Sequence, residues 1–62
     1  MSDDVEQRIS KLRHDLSNPL AAVLAETQLM LLQPESYEED TVASLRQIEG
    51  LARRMRDIIQ NA

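Results

Sequence analysis

The sequence predicts an all-α fold, an antiparallel two-helix hairpin that dimerises into a four-helix bundle. The 62 residues are rich in Leu, Ala, Glu, Arg and Gln, with one Gly, two Pro and no Phe, Trp or Cys, a composition typical of helices. Two amphipathic segments flank one turn sequence. A domain this small buries too little surface to be stable alone, and without disulfides oligomerisation is the expected remedy.

The first helix is predicted over about residues 3–32. Asp3 and Glu6 resemble a capping pair at its start. Pro34 ends it, because proline disfavours the helical conformation of the residue before it. Apolar residues recur every three or four positions in one narrow stripe, which is typical of a coiled-coil contact. The stripe consists of Val5, Ile9, Leu12, Leu16, Leu20, Val23 and Met30, with Thr27 filling one step.

A turn over about residues 33–36 is predicted to lead into a second helix over about residues 37–60, so that residues 1–62 form one domain. Ser36 and Glu39 fit a capping box with Ser36 as N-cap. The short connection makes the helices antiparallel, and their apolar surface exceeds what one partner covers. The second apolar face contains Val42, Leu45, Ile48, Leu51, Ala52, Met55, Ile58 and Ile59. An ordinary coiled-coil dimerisation element fits this pattern equally well.

Charge and composition argue against several functions. The net charge of −4 argues against binding nucleic acid through a basic surface. No apolar run approaches the roughly 20 residues of a membrane span, so we expect a soluble chain. A single His and no Cys argue against a zinc site and a thiol nucleophile.

The segment of residues 14–20, His-Asp-Leu-Ser-Asn-Pro-Leu, has features that helix packing does not require. His14 is predicted to face away from the apolar stripe, within reach of another protein. Asn18 follows on the same face. Pro19 lies inside the predicted helix, where it removes an amide donor and crowds the Asp15 carbonyl at a cost of about 3 kcal/mol, so a kink is expected. Each residue alone has an ordinary structural explanation, but the combination points to chemistry at the imidazole.

This segment resembles the H-box of the dimerisation and histidine phosphotransfer domain of bacterial sensor histidine kinases. That motif runs His, acid, apolar residue, a variable and often basic residue, Thr or Asn, Pro, and Leu or similar. Six of the seven positions match, and Ser17 replaces the common Arg or Lys. The length, the two-helix layout and the stripe extend the resemblance to nearly the whole chain.

The resemblance implies that His14 is the phosphoacceptor. A separate catalytic domain that binds ATP and Mg²⁺ would supply the phosphoryl group, and the receiver domain of a response regulator would accept it on an aspartate. Asp15 would act as general base and orienting acid by accepting a hydrogen bond from Nδ1–H, which leaves Nε2 free to attack. Asn18 would assist dephosphorylation of the regulator by positioning water.

The 62 residues contain no glycine-rich nucleotide loop. The resemblance therefore implies a cytoplasmic fragment of an ATP-dependent kinase, inactive alone, whose parent protein can be membrane-anchored. No cofactor or metal is expected in this chain itself. Two other functions stay open: a stand-alone histidine phosphotransfer protein without kinase activity, and a purely structural helical dimerisation module.

Further expectations concern the surroundings of His14. A turn centred near residue 35 would place Arg56 level with His14, with Arg53 close by. Guanidinium groups suit phosphate oxygens, although complementing the helix dipole is an alternative role. Gly50 would lie opposite Pro19 and make room for its kink.

Small residues on the first helix predict a docking strip for the regulator, since they allow a partner helix to approach closely. Packing against the second helix is the alternative for Ala22. The strip comprises Ala21, Ala22 and Ala25, continued on the second helix by Ser44 and Gln47.

Overall fold

In a computed structural model, residues 2–62 form two antiparallel α-helices joined by one 3₁₀ turn. Helix α1 spans Ser2–Leu31, the 3₁₀ turn spans Pro34–Ser36 and helix α2 spans Glu39–Gln60. The Cα atoms extend over 53 × 14 × 11 Å, and no strand occurs among the described residues. Met1, which the domain prediction includes, lies outside them. The predicted all-α hairpin is confirmed.

The turn between the helices differs from the predicted capping box. The 3₁₀ turn is closed by the Tyr37 amide, which donates to the Pro34 carbonyl at 3.2 Å. Tyr37 is extended, and Glu38 is the N-cap of α2 without a side-chain cap hydrogen bond. The prediction that Ser36 caps α2 is wrong, because Ser36 is the last residue of the 3₁₀ turn and two extended residues separate it from the helix.

This later start of α2 shifts the pairing of the two helices. Ala52 is buried in one cluster with Leu20 and Leu24. Near the end of α2, the Arg13 guanidinium donates to the Ala62 carbonyl. The residue next to His14 therefore faces the end of α2.

The expectation that Arg56 lies level with His14 is wrong for the same reason. Arg56 lines a groove with Ser17 and Ala21, which are one and two turns further along α1 than His14. The predicted turn was centred too early in the chain, since it took no account of the 3₁₀ turn and the two extended residues.

The contact between the helices involves few side chains. Its buried apolar residues are Leu20, Leu24, Leu45 and Ala52. Thr27 is also buried, and its hydroxyl donates to the Val23 carbonyl at 2.7 Å. That bond matters because a buried hydroxyl without a partner is destabilising.

Most of the predicted apolar stripe points away from this contact. A hairpin on its own leaves this large apolar face in water, which is unusual for a monomeric protein. Among the described residues, side chains 38–66% exposed on this face are Val5, Ile9, Leu12, Leu16, Val23 and Met30 on α1 and Ile48, Leu51, Met55 and Ile58 on α2. We call these ten residues the outer apolar face.

Neither helix, over the part of the chain that the structure describes, is long and apolar enough to cross a membrane.

Gly50 lies in open space. A Cβ atom built on it meets no heavy atom within 4 Å outside its own helix backbone and chain neighbours. The expectation that Gly50 makes room for the kink at Pro19 is therefore wrong.

Gly50→Ala is expected to stabilise the protein by about 1 kcal/mol, because alanine is the better helix former and nothing obstructs its methyl group. Urea unfolding followed by circular dichroism measures the change. The matched control is Ala43→Gly, two turns earlier on the same side of α2, which should lose a similar amount. Destabilisation by Gly50→Ala would show that a neighbour occupies this space.

Candidate phosphoacceptor site

His14 projects from α1 into solvent. Its side chain is 75% exposed, and within residues 2–62 it takes part in no hydrogen bond. At about 100° per residue, His14 lies roughly opposite Leu16 and Val23 of the outer apolar face. The imidazole is thus accessible to another protein on one side of the hairpin, while the apolar surface lies on the other.

The carboxylate of Asp15 is close to the imidazole but not bonded to it. The distance from His14 Nδ1 to Asp15 Oδ1 is 3.9 Å, longer than a hydrogen bond of about 2.7–3.2 Å. Consecutive side chains on a helix point about 100° apart, which accounts for the separation. The hydrogen bond that the resemblance implies is therefore not formed in this conformation.

Asp15 instead pairs with Lys11, one turn earlier. The ammonium Nζ donates to Asp15 Oδ2 at 2.6 Å. This bond is the main reason why the pKa of the Asp15 carboxyl lies below its ordinary value of 3.8, and it likewise raises the pKa of Lys11 above 10.5. Both groups are therefore charged at neutral pH. Because both side chains are exposed to solvent, the ion pair between them is weak and can rearrange.

Lys11 is a site residue that the sequence reasoning missed. The signal was present, since residues four apart are neighbours on a helix and opposite charges at that spacing pair readily. The H-box motif begins at His14, whereas the partner of Asp15 precedes His14 in the chain.

Helix α1 continues without a break through Pro19. Proline has no amide proton, so residue 19 cannot donate to the Asp15 carbonyl. Two residues earlier, the half-buried Ser17 donates its hydroxyl to the Arg13 carbonyl at 2.7 Å, a bond that often bends helices. Asn18 is exposed and lies one turn beyond His14, but no hydrogen bond joins the two side chains within the described residues.

Two arginines of α2 pair with acids of their own helix. Arg53 Nη2 lies 3.3 Å from Glu49 Oε2, and Arg56 Nε lies 3.6 Å from Asp57 Oδ1. Arg53 and Arg56 remain about half exposed, at 52% and 47%. Their contact with phosphate stays a prediction. Arg56 would make this contact beside Ser17.

A shallow groove of about 260 Å³ runs between the helices below His14. Two predicted docking residues, Ala21 and Ala25, line it. The other three, Ala22, Ser44 and Gln47, are exposed but do not line it. The complete lining is Ser17, Leu20, Ala21, Leu24, Ala25 and Gln28 of α1 with Arg56 and Gln60 of α2. The small side chains keep the groove open, and Arg56 gives it a positive charge.

No group of three or more His, Asp or Glu side chains between residues 2 and 62 is placed to hold a metal ion.

Comparison with protein families gives a match over almost the whole chain. The family described as His Kinase A (phospho-acceptor) domain matches residues 4–62. The chain belongs to this family. Neither the curated proteins nor the solved structures include a significant match to this chain.

The family match covers residues 14–20, the segment that we interpret as an H-box. A His Kinase A domain provides the phospho-acceptor and dimerisation function of histidine kinases in two-component phosphotransfer. The exposed histidine and the outer apolar face are the features of this chain that match those two functions.

Proposed function

We propose that this His Kinase A domain is a homodimer in which His14 accepts a phosphoryl group from ATP and passes it to an aspartate of a response regulator. ATP and Mg²⁺ would be bound by a separate catalytic domain. The observation that carries the proposal is the three-quarters exposed imidazole of His14 within a chain whose family match covers residues 4–62.

Phosphorylation would form a bond between Nε2 of His14 and the γ-phosphorus of ATP. The bond from that phosphorus to the bridging oxygen breaks, and ADP leaves with the electron pair. Positive charge develops on the ring, and Asp15 would stabilise it by accepting a hydrogen bond from Nδ1–H. An aspartate oxygen of the regulator then attacks the same phosphorus, which releases Nε2.

Phosphate transfer is tested by incubating the chain with the ATP-binding domain of a histidine kinase and ATP labelled at the γ-phosphate. We expect the wild-type chain to acquire label that is lost in acid and kept in alkali, as for phosphohistidine, and His14→Gln to acquire none. An unlabelled wild-type chain would favour the structural dimerisation module, and label on His14→Gln would place the acceptor elsewhere.

Asn18 supports a second activity of the same site. Its exposed amide lies one turn from His14, where it could orient water toward the aspartyl phosphate of a docked regulator. The groove that Ala21 and Ala25 line begins at Ser17, next to Asn18 in the chain, and we propose that a regulator helix docks there, with Arg56 at the border.

Asn18→Ala is expected to slow dephosphorylation of the regulator by about 10- to 100-fold, the scale of lost positioning. Labelling of His14 should stay within about twofold of wild type, because the amide takes no part in the attack by Nε2. Release of phosphate from a labelled regulator measures the first activity and labelling from ATP the second. Equal loss of both would contradict a specific role in dephosphorylation.

The outer apolar face supports the proposed dimerisation. The chain is short, and no side chain between residues 3 and 62 is fully buried, so a hairpin alone gains little from burial. Pairing two copies through this face would cover apolar side chains of both helices and leave His14 outside, on the opposite side of α1.

Met55→Asp is expected to dissociate the dimer, because a carboxylate in an apolar interface is strongly unfavourable. Analytical ultracentrifugation should find about twice the 7.1 kDa chain mass for wild type and the monomer mass for the variant. Arg46→Asp is the control, since a position nine residues away lies about two and a half turns off and faces the other side of α2. A monomeric wild type at micromolar concentration, or dissociation by both variants, would contradict this interface.

A further inference from the structure

The Asp15 carboxylate lies near two nitrogen groups, each of which faces a different oxygen. Lys11 Nζ is 2.6 Å from Oδ2, whereas His14 Nδ1 is 3.9 Å from Oδ1. The first contact is a full ion pair, and the second is about 1 Å too long for a hydrogen bond. The conformation is thus one in which the lysine, and not the histidine, holds the carboxylate.

We propose that Lys11 is a positioning residue that holds Asp15 away from His14, so that the imidazole–carboxylate hydrogen bond forms when the Lys11–Asp15 ion pair opens. This inference rests on the proposed phosphoacceptor function of His14. Lys11 precedes the H-box, and through Asp15 it would control the nucleophile His14.

The geometry of α1 explains how Lys11 restrains the carboxylate. Lys11 lies one turn before Asp15 on nearly the same side of the helix, so it draws the carboxylate toward the N-terminal end of α1. His14 is the adjacent residue, and its ring projects about 100° round the helix from Asp15. The distance from Oδ1 to Nδ1 must shorten from 3.9 Å to about 3.2 Å for a hydrogen bond to form, and the 2.6 Å bond between Oδ2 and Lys11 restrains that movement.

The balance between the two states is close. The Lys11 and Asp15 side chains are 77% and 51% exposed, and exposed pairs four residues apart shift an equilibrium by about twofold. Lys11 consequently lowers the share of molecules with the His14–Asp15 hydrogen bond without abolishing it. Salt weakens the pair and should raise that share.

The hydrogen bond selects a tautomer of the imidazole, which provides a direct readout. Of the two neutral tautomers, only the one protonated at Nδ1 can donate a hydrogen bond to Asp15, and this is the form whose Nε2 can attack phosphorus. The ¹⁵N chemical shifts of the two ring nitrogens report the tautomer ratio in the whole chain. The ratio is preferable to a rate here, because removing Lys11 also removes a positive charge from the site where phosphate arrives.

In Lys11→Gln, we expect the ratio of Nδ1-protonated to Nε2-protonated His14 to rise about twofold at low salt. Raising the ionic strength should increase the ratio in wild type and leave that of the variant unchanged. Arg8→Gln is the matched control: it removes the same charge one turn earlier but does not contact Asp15, so its ratio should equal that of wild type.

Two results would overturn the proposal. One is a ratio that stays constant or falls in Lys11→Gln, and the other is an equal rise in Arg8→Gln, which would indicate a general effect of charge. In an Asp15→Asn background, Lys11→Gln should have no effect on the ratio, since the shared carboxylate is gone. The measurement needs no phosphorylation, so failure of His14 labelling would refute the proposed function separately.

Discussion

The contact between the two helices is too narrow to form a closed core, and much of the remaining structure follows from that constraint. Leu20, Leu24 and Ala52 form its central cluster. The helices are only two in number, so each has one side that the hairpin covers and several that it does not. The apolar residues placed on the uncovered sides of α1 and α2 converge on one surface, which leaves the opposite side of α1 for His14. The proposed phosphoacceptor and the proposed dimer interface are thereby separated across a single helix about 10 Å wide.

The helices and the outward position of the histidine could be predicted from the sequence because both depend on the period of the α-helix. Residues three and four apart share a side whatever the turn does, so the apolar stripe and the opposite placement of His14 needed no knowledge of α2. The same period did not reveal which apolar side chains meet within the hairpin and which remain outside. Leu24 is buried although it lies off the predicted stripe, whereas Leu12 and Leu16 on the stripe are about half exposed.

The relative position of the two helices could not be predicted, because it depends on a competition between local hydrogen bonds. Ser36 was equally suited to a capping box and to a 3₁₀ turn after Pro34, and the second was formed. That one difference moved α2 along α1 and made the expectation for Arg56 wrong, whereas the expectation for Gly50 is wrong because this residue lies in open space. The site shows a similar limit at Asp15, where the sequence order suggested His14 as the partner but the helical spacing favoured Lys11.

Pro19 reduces the resistance of α1 to bending. An α-helix resists bending because amide-to-carbonyl hydrogen bonds join each turn to the next. The hydrogen bond from residue 19 to the Asp15 carbonyl is absent. Two residues earlier the Ser17 hydroxyl adds a second donor to the Arg13 carbonyl, which further loosens the regular ladder. The stretch of this 30-residue rod that carries His14 and Pro19 therefore has a weakened hydrogen-bond ladder, and such sites are where helices bend. A twist or flexion applied at either end of that rod would concentrate where the imidazole is attached, changing its direction while the stiffer segments on both sides keep their shape.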